Sequence, residues 1–212
     1  MKELIIKEIS IADVKDFRAI DVALDALPKT SISESPWAAS YPYHPMVQFA
    51  LGYGPAHLFL KYYVTEKTIR AVTNQVNGMV WQDSCVEFFI TLDEVAYYNI
   101  EINCIGTALV GFGPSKNERN RLPAPVVEEI GTSSHIRRLS NDKLFHWELT
   151  ACIPLTVFLH HQPVSLKGKR LRGNFYKCGD LLPEPHYLSW QPLDSATPNF
   201  HLPAAFGSLH FV

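Results

Sequence analysis

The sequence predicts an all-β fold, an antiparallel β-sandwich of jelly-roll type with a few short helical turns. Three observations predict it. From residue 46 onward, short segments rich in Val, Ile, Phe and Tyr alternate with Gly, Pro and Asn turns, as strands and hairpins do. Within those segments apolar residues fall on alternate positions, as expected where one face of a strand packs on a core. Little of the chain has helical spacing, and no Gly-rich phosphate loop, GxSxG elbow or HExxH pair occurs.

Taken in order, SIADVKDFRAIDVALD (10–25) suggests a short helix or irregular lead-in, with Ser10 as cap and Val14, Phe17 and Ile20 at helical spacing. LPKTSISESPW is loop by composition. MVQFALGY (46–53) and HLFLKYYVTE (57–66), separated by GPA, have the spacing of a hairpin. Strands are expected next at 83–92, 96–103 and 106–112, then a polar loop, GPSKNERNRLPAP (113–125). Residues 133–139, 144–153, 170–178, 186–191 and 207–212 complete a set of about ten strands. PLTVFLHH (154–161) fits one or two helical turns. The whole reads as a single domain over 1–212, with 1–45 an irregular lead-in packing on it.

Bulk properties narrow the function classes. A hydrophobic content of 47% supplies a substantial core. Nineteen basic residues nearly balance twenty-one acidic ones, with no basic block, so neither nucleic acid nor an anionic membrane surface is expected as partner. No apolar run is long enough for a transmembrane helix. The N-terminal apolar stretch, Leu4 to Ile6, is too short for a signal peptide, so a cytoplasmic location is expected for the chain as written, or an extracellular or periplasmic one if a leader preceded it. Cys85, Cys104, Cys152 and Cys178 form no CxxC pair and read as small buried residues rather than disulfides or zinc ligands. The adjacent pair His160-His161 lacks metal-ligand spacing and a partner carboxylate, so no metal and no cofactor are expected.

The chemistry gathers in VWQDSCVEFFI, residues 80–90. Parity puts Ser84, Val86, Phe88 and Ile90 on a core face, and Trp81, Asp83, Cys85, Glu87 and Phe89 on the other. The next strand, YYNIEIN, turns Tyr98, Ile100 and Ile102 to the core and Tyr97, Asn99, Glu101 and Asn103 outward. Paired as a hairpin, the two strands make a water-facing wall of Trp81, Asp83, Glu87, Asn99, Glu101 and Asn103. An aromatic ring beside carboxylates and amides suits a sugar, whose C–H face stacks on the ring while its hydroxyls bond to the polar groups. The bland alternative is a solvated strand face. Among the other tryptophans, Trp147 is expected in the core, Trp190 in the core or at the site rim, and Trp37 as a plug at one end of the sandwich or, alternatively, at the border of the site.

VWQDSCVEFFI followed by YYNIEINCIGT resembles the signature of family 9 carbohydrate-binding modules, a DOMON-like β-sandwich family, and its single-domain bacterial relatives in particular. RGNFYKCGD, YLSWQPL and PNFHLPAAFGSLHF are similar to the family's closing segment, and HLFLKYYVTE to its early strand pair, so the likeness covers roughly residues 46–212. The resemblance implies a sandwich and a clamp of two aromatic rings on a terminal sugar. Trp81 matches the first ring, Phe200 the second, and Glu87 a polar ligand contact. Glu101 stands where some members have arginine, and the N-terminal DGxxDExW motif survives at best as SESPW, with Trp37. No acidic cluster matches the family's calcium sites.

The expected sugar site therefore comprises Trp81, Asp83, Glu87, Glu101, Asn103, Lys177, Asn199 and Phe200, with His201 flanking Phe200. Lys177 is included for its reach toward a hydroxyl, although solvent exposure is the simpler reading. The expected partner is a mono- or oligosaccharide, bound without catalysis. Two alternatives remain. Glu87 and Glu101, facing each other across a strand pair at a Cβ spacing of about 4.5–5.5 Å, could serve a glycoside hydrolase, whose retaining forms hold their carboxyls about 5–5.5 Å apart. A sandwich that has lost its sugar site could instead be an interaction module.

Overall fold

In the computed structural model, which describes residues 1–140 and 143–212, the strands form two sheets packed face to face. The chain opens with β1 (Glu3–Glu8), α1 (Phe17–Asp25) and β2 (Thr30–Ser31), then the hairpin β3 (Met46–Tyr53) and β4 (His57–Glu66). A meander of β5 (Cys85–Thr91), β6 (Tyr97–Asn103), β7 (Ala108–Gly113) and β8 (Asn120–Arg121) leads to the short α2 (Ala124–Val127). β9 (Gly131–Arg138), β10 (Phe145–Pro154), β11 (Arg170–Cys178), β12 (Tyr187–Ser189) and β13 (Gly207–Phe211) complete it. One sheet runs β8-β7-β6-β5-β11-β13, with β12 also on β11; the other runs β3-β4-β10-β9, with β2 on β3.

β1 joins the two. Its Glu3–Ile6 half pairs with Ser208–Phe211 and its Lys7-Glu8 half with Gly52-Tyr53, both parallel, whereas the other ladders are antiparallel. The inward faces are those parity assigned. Val86, Phe88, Ile90, Tyr98, Ile100 and Ile102 meet Phe49, Leu51, Leu60, Tyr62, Val64 and Trp147 in one core. Phe49 stacks on Phe175 with ring centroids 3.8 Å apart, and the Tyr62 hydroxyl donates to the Glu87 carbonyl at 2.9 Å. Each such buried apolar side chain contributes roughly 1.5–3 kcal/mol. Trp147 and Trp190 are both core residues, and α1 lays Ile20 and Leu24 on the outer face of the second sheet.

The structure corrects several expectations. The lead-in is ordered rather than irregular, supplying β1, α1 and β2. Its helix is capped by Asp16, whose carboxylate accepts from Ala19 N at 3.1 Å, and Ser10 lies well before it. The polar loop contains β8 and the start of α2. His161 does have a carboxylate, with Nε2 3.0 Å from Asp93 Oδ2.

Lys177 is the largest correction. It shares parity with Phe175, which faces the core, and follows it inside: Lys177 and Glu66 are both wholly buried, with Nζ 2.9 Å from Oε2. Lys177 also donates to the Cys178 carbonyl and to His186 Nε2, each at 2.8 Å, while Trp147 Nε1 donates to Glu66 Oε1 at 2.7 Å. Burial and the lysine push His186 down to about 3, so it stays neutral and accepts. Lys177→Met strips the buried Glu66 of its lysine partner and is expected to lower the free energy of unfolding by about 3–5 kcal/mol. Urea denaturation reads this, and adding Glu66→Gln should recover part of the loss.

Candidate functional site

The outer face of the β5–β6–β11 wall carries the acids. β5 turns Cys85, Glu87 and Phe89 outward, β6 Tyr97, Asn99 and Glu101, and β11 Tyr176 and Cys178. Ladder register sets Glu87 directly opposite Glu101 and Cys85 directly opposite Cys178. This wall is not open to water, as parity alone would suggest. Trp37, Tyr187, Leu193, Phe200 and Phe206 fold over it as a second apolar layer, leaving Glu87 only 4% and Glu101 2% exposed.

One cleft of about 210 Å³ penetrates that layer. Trp81, Tyr187 and Phe200 supply its rings; Glu87, Glu101 and Asp180 its carboxylates; Lys116 and Arg119 its cations. Cys178, Pro198, Asn199 and His201 complete the lining. Trp81 gets there by leaving the strand: Val80–Gln82 form a 3-10 turn before β5 begins at Cys85. Its carbonyl accepts from Asp180 N at 3.1 Å, so the turn is tied to the end of β11. Phe200 is set by stacking on Tyr176 at 4.3 Å, by Trp37 and Tyr187 each 6.1 Å away, and by its carbonyl, which accepts from the Tyr176 hydroxyl at 3.0 Å. Trp37 belongs to the layer over the outer face beside the site rather than plugging one end of the sandwich; it underpins the second ring, with Nε1 donating to the Ser195 carbonyl at 2.7 Å.

The cleft holds Trp81, Glu87, Glu101, Asn199 and Phe200 of the expected site residues. Asp83, Asn103 and Lys177 do not reach it. Asp83 is consumed internally: its carboxylate accepts from Thr73 N at 2.8 Å, Val72 N at 3.1 Å, Asn103 Nδ2 at 2.9 Å and the Arg70 guanidinium. Burial acts to raise its pKa, and these donors outweigh it and hold the carboxyl below the usual range. Asn103 closes the same network, donating to the Thr73 carbonyl at 2.7 Å and accepting from Thr107 N at 3.0 Å. Lys177 lies on the other side of the sheet, in the core. Reading the sequence missed Cys178, whose parity with Tyr176 marks this face, and Asp180 just beyond it. Lys116 and Arg119 come from a loop whose composition carries no positional signal.

Burial and the facing Glu101 push the Glu87 carboxyl well above the ordinary carboxylate range. Burial raises Glu101 to about 7 against the opposing pull of Arg119 and of Asn99 Nδ2, which donates to it at 2.8 Å. Asp180 rises to about 6 by burial. His201 falls to about 3 by burial and by Arg119 and Lys116 beside it, so it remains neutral, its Nδ1 2.9 Å from the Tyr97 hydroxyl. The wall thus favours the protonated form of Glu87, a donor as well as an acceptor, beside Glu101.

Comparison with known proteins bears on this cleft. A model of carbohydrate-binding family 9 matches residues 18–211. No curated protein sequence matches the chain significantly. Among solved structures, a candidate carbohydrate-binding protein from Bacteroides uniformis is 34% identical, with a TM-score of 0.91 covering 100% of this chain and 99% of that one. A family 9 carbohydrate-binding module from Caldicellulosiruptor kristjanssonii in complex with glucose is 12% identical, with a TM-score of 0.62 over 100% of this chain and 96% of its own. The complex of a family 9 module from that organism with cellotriose, also 12% identical, gives 0.61 over 99% and 93%. The last two share the fold.

The proton held by Glu101 sets a pH dependence. Its folded pKa of about 7 lies above the ordinary 4.5, so the folded state binds more protons between those values and stability falls as pH rises. Between about pH 6 and 7 the expected fall is about 1 kcal/mol, and Glu101→Gln should flatten it. Urea midpoints taken across that range for both proteins check the sign.

Proposed function

The chain belongs to carbohydrate-binding family 9, and from that premise we propose that it binds a mono- or oligosaccharide without catalysis, holding one sugar unit in the cleft. The carrying observation is that Trp81 and Phe200, far apart in sequence, line the same cleft as Glu87 and Glu101. Its volume of about 210 Å³ lies below the range of about 300–1,000 Å³ for drug-sized ligands, which favours a terminal ring over the middle of a chain. Aromatic faces take the ring's C–H groups. A sugar hydroxyl both donates and accepts, and so do Glu87 and Glu101 together. Hydrogen bonds to the ionised carboxylate contribute about 1.5–3 kcal/mol each. Asn199 adds an amide and Arg119 a further donor at the same cleft.

A site of this size gives micromolar to millimolar affinity, on the order of 4–8 kcal/mol. Trp81 is partly exposed and replaceable without opening the core. Trp81→Ala is expected to weaken binding of glucose or cellotriose at least about tenfold, or about 1.4 kcal/mol, with little change in melting temperature. Calorimetry reads it, and an unchanged affinity would move the sugar elsewhere. The hydrolase alternative uses the same two acids. It is separated by assaying aryl glycosides with wild type and Glu87→Gln, from neither of which the binding function releases product.

A further inference from the structure

We propose that Cys85, Cys178 and Glu87 form a binding site for one thiophilic divalent cation of the zinc or cadmium class, at the back of the cleft. The three sit on one face of two adjacent strands. Register sets Cys85 opposite Cys178, and Glu87 follows Cys85 by two residues, so all three side chains project the same way. Their donor atoms lie within 4.8 Å of one another, with Cys178 Sγ 3.1 Å from Glu87 Oε1. Zinc bonds of about 2.3 Å to sulfur and about 2.0–2.2 Å to oxygen place tetrahedral ligands roughly 3.5–3.8 Å apart. Side-chain rotation of an ångström or less therefore converts the cluster into three corners of a tetrahedron.

A further feature suits a cation. Cys178 and Glu87 line the cleft, so the cluster borders a cavity from which an ion and a water ligand can reach it. Cys104 and Cys152 are buried elsewhere: Cys104 in the core between the sheets, Cys152 beneath α1. Occupation replaces protons by metal. Both thiols lose theirs to solvent as the two thiolate bonds form, so affinity rises with pH.

The site goes beyond sugar binding and is tested apart from it. Reduced, metal-free protein titrated with Cd²⁺ is expected to develop thiolate-to-metal charge-transfer absorption that saturates at one equivalent and is displaced by Zn²⁺. Affinity should drop at least about tenfold per pH unit as the solution is acidified. Cys85→Ala and Cys178→Ser should each abolish the band, with circular dichroism reporting that the sandwich persists, whereas Cys104→Ala/Cys152→Ala should keep it. No band from reduced wild type overturns the site, as does a band that survives in Cys85→Ala. Calorimetry with glucose or cellotriose on the metal-free wild type reads the sugar function separately, so either can fail alone.

Discussion

The ion pair between Lys177 and Glu66 fixes where the cleft can be. Both groups are wholly buried between the sheets, one on β11 and the other at the end of β4. Measured against an apolar alternative, such a pair adds little net stability. Its effect lies in what it forbids. A one-residue slip of β11 would send Lys177 outward and leave Glu66 in the core without its lysine, and it would turn Cys178 and Tyr176 inward. Because the lysine must point in, its neighbours must point out. The floor of the cleft is the reverse side of a core interaction.

That arrangement explains why β5 and β11 are polar on one face yet buried on both. The inner face belongs to the sandwich core, and the outer face to a second layer built from Trp37 and the segment around Phe200 and Phe206. Carboxylates in this position lack water, and two of them face each other, so the wall retains protons that an exposed wall would lose. Burying these carboxylates costs stability that a solvated wall would keep.

Most of the sandwich was legible because alternation is a strong signal where one face is apolar. The hairpin of β3 and β4 and the strand β11 appear at the expected limits, and Glu87 and Glu101 face each other as parity requires. What parity could not show was which residues bring their own partners. Asp83 looks like another wall acid, but backbone amides ten residues upstream enclose it. Lys177 looks like a surface lysine because its partner Glu66 is remote in sequence, although Phe175 two residues earlier marks the inward face. β1 was missed for a related reason. ELIIKE does not alternate cleanly, since the strand hands its pairing from one sheet to the other partway along. The cover over the wall was hidden too, because loops are placed by packing and carry no periodicity.

Trp81 reaches the cleft by a different local route from the one strand parity implies. It was grouped with the wall by strand parity, but the strand has not yet begun there; a 3-10 turn carries the indole, and hydrogen bonds to Trp81 and Gln82 carbonyls from Asp180 N and Leu181 N set its direction. The turn after β11 thus ties down the first ring while β11 itself, through Tyr176, supports the second. A single strand held in register by its buried lysine therefore positions both aromatic faces and one thiol of the wall between them. In such a cleft the rings are held by the backbone around them, while Glu87, Glu101, Asp180, Cys178, Asn199 and Arg119 supply the groups that can form hydrogen bonds.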